Sequence, residues 1–145
     1  MAVDRRAEAT WNGSLLEGSG RIESTTSGVL GRQELTWRAR AEEDAPTQTS
    51  PEDLIAAAHA SCFAMALSHE LAQAGTPAEE VRTSATVTFQ AGAGITKIAL
   101  TVRGRGDGID RDAFLQAAQS AKENCPVSKA LASVPEITLD AEFDG

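Results

Sequence analysis

Apolar and polar residues recur along this chain with two periods, and the changes of period divide it into elements. Residues 8–16 and 20–26 flank a turn at Glu17, Gly18, Ser19 and Gly20 and read as two strands of a hairpin. Over 33–42 the period is two. Leu35, Trp37, Ala39 and Ala41 share one face, and Thr36, Arg38, Arg40 and Glu42 the other, which predicts a third strand. A polar loop follows over 44–49. Ser50 then offers an N-cap, Pro51 suits the first helical position, and Asp53 at the third completes a capping-box-like start. This helix should run to about Gln73, ahead of Gly75. From Leu54 to Leu67 it is apolar almost all round, which predicts a buried helix.

Alternation returns over 81–90, with Val81, Thr83, Ala85, Val87 and Phe89 on one face. A glycine-bearing turn over 91–94 leads into 95–102, a second hairpin. Asp110 can cap a helix whose apolar positions are Phe114, Leu115, Ala118 and Ala121 and which stops near Asn124. A short helix from Pro126 to Ala132 and a strand from Ile137 to Phe143 close the chain. The order β-β-β-α-β-β-α-α-β indicates an α+β protein. We expect one domain over 1–145, because the segments on either side of the 44–49 loop are each too small to fold alone.

The net charge is −8 and the pI near 4.7. Nucleic acid and anionic membrane surfaces would repel such a chain, so neither is an expected partner. Short acidic runs at Glu42-Glu43-Asp44 and Glu79-Glu80 read as solvated loops. The amino-terminal residues carry arginines but no following apolar stretch, unlike a secretory signal. The apolar run from Leu54 to Leu67 is too short to span a bilayer. A cytoplasmic location is therefore expected, where a lasting structural disulfide would be unusual and a transient one catalytic or sensory.

Against that expectation stand two cysteines, Cys62 and Cys125. Cys62 lies inside the apolar helix, where burial makes a thiol inert unless a cation reaches it. His59, one turn earlier, is neutral at most working pH values, so an arginine from the Arg38/Arg40 face would serve better. Glu52 lies on the same helix, about 15 Å from Cys62 at 1.5 Å per residue. It cannot touch the sulfur, but it could hold an arginine or simply favour the helix start. Cys125 precedes Pro126 as an N-cap, so it should be the more exposed thiol, its thiolate favoured by unpaired N–H groups. Taken singly, each cysteine also reads as plain structure. His59 reads as a packing residue and His69 as a surface one. Two histidines and two distant cysteines do not make a zinc site, and no phosphate-binding glycine loop is present, so we expect no metal or organic cofactor.

The segment Ser50-Pro-Glu-Asp-Leu-Ile-Ala-Ala-Ala-His-Ala-Ser-Cys-Phe-Ala-Met-Ala-Leu67, with Asn124-Cys-Pro-Val-Ser-Lys-Ala-Leu131, resembles the OsmC/Ohr family of thiol-dependent hydroperoxidases. Residues 95–101 and Gly108-Ile-Asp110 resemble its OsmC branch, and the likeness runs from about Ala9 to Phe143. The resemblance implies two antiparallel sheets around a central buried helix, in an intertwined homodimer with active sites at the subunit interface. It implies a peroxidatic Cys62, a resolving Cys125, Glu52 as the acidic residue, and Arg40 as the activating arginine, with Arg38 and Arg21 as alternatives. The implied reaction reduces organic hydroperoxides, with a dithiol reductant such as a lipoylated protein. A redox sensor built on the same thiol pair is the alternative.

Overall fold

The computed structural model describes residues 1–44 and 47–145; Ala45 and Pro46, inside the expected polar loop, lie outside the described residues. By internal contacts the chain falls into two compact units, Met1–Leu54 and Ile55–Gly145.

The first unit holds β1 (Ala7–Asn12), β2 (Ser19–Thr25) and β3 (Gln33–Leu35), an antiparallel sheet in that order, and α1 (Trp37–Ala41). β1 ends earlier than its apolar pattern suggested because Gly13 takes φ +90° and turns the chain. Ser14 then gathers the turn: its carbonyl accepts from Gly18 N–H and Trp11 Nε1–H, and its hydroxyl accepts from Glu17 N–H. The larger correction falls on 33–42. Only three residues are strand, and Arg38 and Arg40 stand on a helix, not on a strand face. Thr36 decides this, since its hydroxyl accepts the N–H of Ala39 and caps the first turn. Alanine and arginine favour a helix once it is started, and no β-branched residue after Thr36 opposes it. The unit buries little: among its described residues Ile22 is the one core hydrophobic, while Leu15, Leu16 and Val29 are exposed.

α2 (Pro51–Gln73) starts in the first unit and continues through the second. Its start is as the sequence predicts, with Ser50 Oγ accepting from Asp53 N–H at 3.1 Å. Its end is a Schellman closure: Gly75, at φ +79°, donates to Ala72, and Thr76 donates to Leu71. Within the chain α2 is not buried all round. Phe63, Leu67 and Leu71 are buried with His59, a stripe of spacing four, whereas Met65 is 73% exposed. At 23 residues it has the length and composition to cross a membrane, which the 54–67 run lacks. Its apolar stripe nevertheless packs into the core of the second unit.

That unit adds β4 (Glu80–Gln90), β5 (Gly94–Arg105), α3 (Arg111–Asn124), α4 (Pro126–Ala130) and β6 (Glu136–Phe143). β4 shows the expected alternation, and β5 extends three residues beyond the predicted strand. Asp110 caps α3 by accepting Ala113 N–H. The α2 stripe, Ile98, Leu100 and Val102 of β5, and Phe114, Ala118 and Ala121 of α3 form one core. The α+β class and the two sheets hold, and each sheet has three strands. The second sheet, ordered β4-β5-β6, is however mixed, not antiparallel: β4 pairs antiparallel with β5, but β6 runs parallel to it. The cause is the connection, since α3 and α4 carry the chain back across the sheet as a parallel pair requires.

Gly104 marks the tightest helix–strand contact, because a Cβ there would collide with the ring of Phe114. Gly104→Ala should therefore cost about 1–3 kcal/mol. Gly31→Ala, whose Cβ would sit 3.5 Å from the Glu23 carbonyl, should stay within about 0.5 kcal/mol of wild type. Urea midpoints of the two variants check the contrast, and equal midpoints would discount the Phe114 contact.

Candidate active site

Four functional side chains singled out by sequence fall into two pairs, one in each unit. In the first unit Arg40 and Glu52 form a forked ion pair. Arg40 Nε lies 3.1 and 3.2 Å from the two carboxylate oxygens, and Nη2 lies 2.9 Å from Oε1. Glu52 is buried and Arg40 half-buried. The two parallel N–H bonds hold the guanidinium plane in one orientation, which a lysine at this position could not achieve. Of the other candidate arginines, Arg38 binds the exposed Glu42 and Asp44, and Arg21 binds Glu23. Arg40 is thus the one of the three that meets Glu52. Against this pair lies a pocket of about 180 Å³ lined by Trp11, Leu15, Leu35, Trp37, Arg40 and Pro51, an apolar cleft with a cationic wall.

In the second unit the two thiols meet. Cys62 and Cys125 are both free and lie near enough for each to shift the other's ionisation. Their exposures are the reverse of the expectation: Cys125 is fully buried, and Cys62 is the partly exposed sulfur. Helix geometry accounts for Cys62. It lies three residues after His59 and one before Phe63, on the flank of the buried stripe instead of within it. Cys125 is enclosed because it is shared by two helices. Its N–H donates to Ala121 as the C-cap of α3, and its carbonyl accepts from Lys129 as the N-cap of α4.

The two sulfurs are electrostatically unequal. Burial, then the hydrogen bond with Cys125, push the Cys62 thiol up, with only the Val127 backbone opposing. Burial also works against a charge on Cys125. It is outweighed by the hydrogen bond from Cys62, the backbone N–H groups of Ser128 and Val127, and the Ser128 hydroxyl, and the net shift is downward. Of the two thiols, Cys125 is thus the one whose ionisation its surroundings favour.

A third pair was not anticipated from sequence. His59, taken as a packing residue, is fully buried, but its Nε2 lies 2.7 Å from Ser128 Oγ, itself buried. His59 Nδ1 is buried with no hydrogen-bond partner. The available signal was spacing: His59 stands three residues before Cys62, and Ser128 three after Cys125, so each shares a helix face with its thiol. His69 is exposed, as expected.

A family model described as OsmC-like protein matches residues 42–140, and the chain belongs to that family. The peroxiredoxin OsmC of Escherichia coli K12 is 43% identical over 99% of both chains. The organic hydroperoxide resistance protein OhrB of Bacillus subtilis is 29% identical over 69% of this chain and 74% of its own. The crystal structure of OhrB aligns with a TM-score of 0.65 at 26% identity, covering 96% of this chain and 98% of that one. An organic hydroperoxide resistance protein from Elizabethkingia anophelis gives a TM-score of 0.70 at 21% identity, covering 99% and 98%, and shares the fold.

Burial holds the His59 pKa below its ordinary value of 6.5. Below about pH 6.5 the unfolded chain therefore takes up a proton that the folded chain refuses, and stability falls as pH drops. His59 should contribute a slope of up to about 1.4 kcal/mol per pH unit between pH 6.5 and 5. Urea unfolding across that window should show the slope in wild type and a flatter profile in His59→Gln; identical profiles would count against a neutral buried imidazole.

Proposed function

We propose that this protein is a thiol peroxidase that reduces organic hydroperoxides to alcohols, acting as a single OsmC-like domain. The observation that carries this reading is that two free thiols, far apart in sequence, lie near enough to shift each other's ionisation in a member of the OsmC-like family. Two thiols brought together in this way are placed to form a disulfide. The names of the E. coli and B. subtilis relatives, a peroxiredoxin and a hydroperoxide resistance protein, support the same chemistry.

In this reading the Cys62 thiolate attacks the terminal peroxide oxygen, and the O–O bond breaks. An alkoxide leaves and takes a proton to become the alcohol, and Cys62 becomes a sulfenic acid. The Cys125 thiolate then attacks that sulfur, the S–O bond breaks, and the departing hydroxide is protonated to water. A dithiol reductant, proposed to be a lipoyl-type group, restores both thiols by exchange. The unequal sulfurs make the role of a cation specific. With the Cys62 thiol shifted up, its thiolate needs a stabilising cation. A guanidinium serving Cys62 favours that thiolate, and Arg40, oriented by Glu52, is the arginine we assign to that task. The apolar cleft beside Arg40 suits the alkyl or aryl part of the peroxide.

A homodimer belongs to the proposal. The first unit leaves Leu15, Leu16 and Val29 exposed around a three-stranded sheet with a single core hydrophobic among the described residues, and α2 leaves Met65 exposed. A second copy would cover such surface. A cytoplasmic location is proposed with it, on the acidic charge and on two cysteines that are both free.

The test mixes reduced protein with one equivalent of cumene hydroperoxide and follows thiols, alcohol and turnover with a dithiol. Wild type should lose two thiols per peroxide and then turn over. Cys62→Ser should form no alcohol, and Cys125→Ser should stop at the sulfenic acid. Arg40→Met should slow the first oxidation at least tenfold, since losing a charge-assisted contact is worth about 1.5–3 kcal/mol. Stoichiometric oxidation without turnover would replace the enzyme by a redox sensor, and two surviving thiols would end the peroxidase reading.

A further inference from the structure

Both tryptophans of the chain, Trp11 and Trp37, line the apolar cleft beside Arg40. Register places the first of them. Trp11 of β1 pairs with Gly20 of β2, and Gly20 pairs with Leu35 of β3. The three form one row across the sheet and share a face. Gly20 has no side chain, and the indole takes the space one would fill: a Cβ there would lie 2.6 Å from Trp11 Cε3. The Trp11 ring thus lies over β2, and its Nε1–H donates to the Ser14 carbonyl at 3.2 Å, which fixes the other end. Trp37 comes from a different element. It is the first residue of α1, directly after the Thr36 cap, and Arg40 follows three residues later on the same helix face.

Size and charge decide what such a cleft takes. Its volume is about 180 Å³. That is below the ~300 Å³ at which pockets for drug-sized ligands begin, and close to the ~150 Å³ of an apolar cavity that accepts benzene. One ring fits, whereas a long acyl chain would leave most of its length outside. Among the described residues Arg40 is the one ionisable group of the lining, and the forked carboxylate of Glu52 matches its charge. The cleft therefore offers no net charge to attract an anionic tail. Indole rings instead favour another ring, through offset or edge-to-face contacts that a saturated group of the same size lacks.

We propose that Trp11 and Trp37 are specificity-determining residues. Together they form an aromatic slot for one ring, so that the hydroperoxides favoured here carry the peroxide one carbon away from an aryl group. This rests on the peroxidase reading and narrows its substrate class. With the ring in the slot, the peroxide on the adjoining carbon lies toward Arg40, whose guanidinium is held in one orientation by Glu52. Neither indole takes part in making or breaking a bond. Each selects what reaches the arginine.

Two experiments test this, and the first needs no turnover. In a ¹H–¹⁵N spectrum of the reduced, ¹⁵N-labelled protein the two indole N–H signals report on the slot directly. Titration with 2-phenyl-2-propanol, the alcohol that cumene hydroperoxide leaves, should shift both signals saturably, and tert-butanol at equal concentration should shift neither. The saturated analogue 2-cyclohexyl-2-propanol should bind at least about threefold more weakly. Indoles that ignore the aryl alcohol mean a slot already filled, by a second copy or by the chain itself, and overturn the proposal. Equal binding of the saturated ring overturns it too. The second experiment compares kcat/KM for cumene and tert-butyl hydroperoxides. Wild type should favour cumene hydroperoxide about tenfold, since each ring pair adds a factor of about two to twelve. Trp11→Leu and Trp37→Leu should each cut that ratio about threefold, and the double variant should bring it near one. Trp11→Phe and Trp37→Phe, which keep a ring, should hold it near the wild-type value. The ratio is taken within one preparation, so a loss of folded protein cancels. A ratio that the leucine variants leave unmoved overturns the proposal, even where the aryl alcohol binds. Failure of the peroxidase reading shows separately, as neither peroxide being consumed. The specificity role then falls with it, while the indole shifts still decide whether the cleft holds a ring.

Discussion

The rotation of α2 about its axis is the constraint on which the thiol site depends. His59, Phe63, Leu67 and Leu71 follow each other at intervals of four and are buried together. With 3.6 residues per turn only one rotation of the helix buries all four. That rotation leaves Cys62 on the flank, partly exposed, and puts the imidazole of His59 into the interior. A Leu67 or Phe63 that packed less well would loosen the angle at which both groups are presented.

A second consequence of the same packing is that polar and apolar burial occur side by side. Cys125 is covered by α3 and α4, and its neighbours are the backbone N–H groups of the α4 start and the Ser128 hydroxyl. Burial alone would make this thiol hard to ionise, and the convergent donors reverse the sign. Cys62, more open to solvent, lacks such donors and shifts the other way. Exposure and acidity are thus uncoupled in this pair. The open sulfur is the harder to ionise, and the closed one the easier.

Much was legible along the chain where a side chain acts on its own backbone. Ser50, Asp110, Gly75 and the alternation of β4 predicted caps, stops and faces that the structure contains. Reading failed where two patterns compete over a short span. Arg38 and Arg40 alternate with apolar residues as in a strand, yet one hydrogen bond from Ala39 to Thr36 makes the segment helical. The Arg40–Glu52 pair was legible as a need for a carboxylate, but not as a forked contact. Ser128 offered only its spacing from Cys125 until its distance to His59 was known.

The sequence by itself determined most of the elements, though not the short helix at Trp37–Ala41, and the motifs that mark the family and its two thiols, because caps, periodicity and local motifs act between residues near in the chain. Tertiary structure alone decided which sulfur is enclosed, which one is the easier to ionise, and which arginine meets Glu52. It also decided that β6 lies parallel to β5. Each of these is set by groups far apart in sequence, and the energy of a charge depends on what surrounds it in space, which no local pattern encodes.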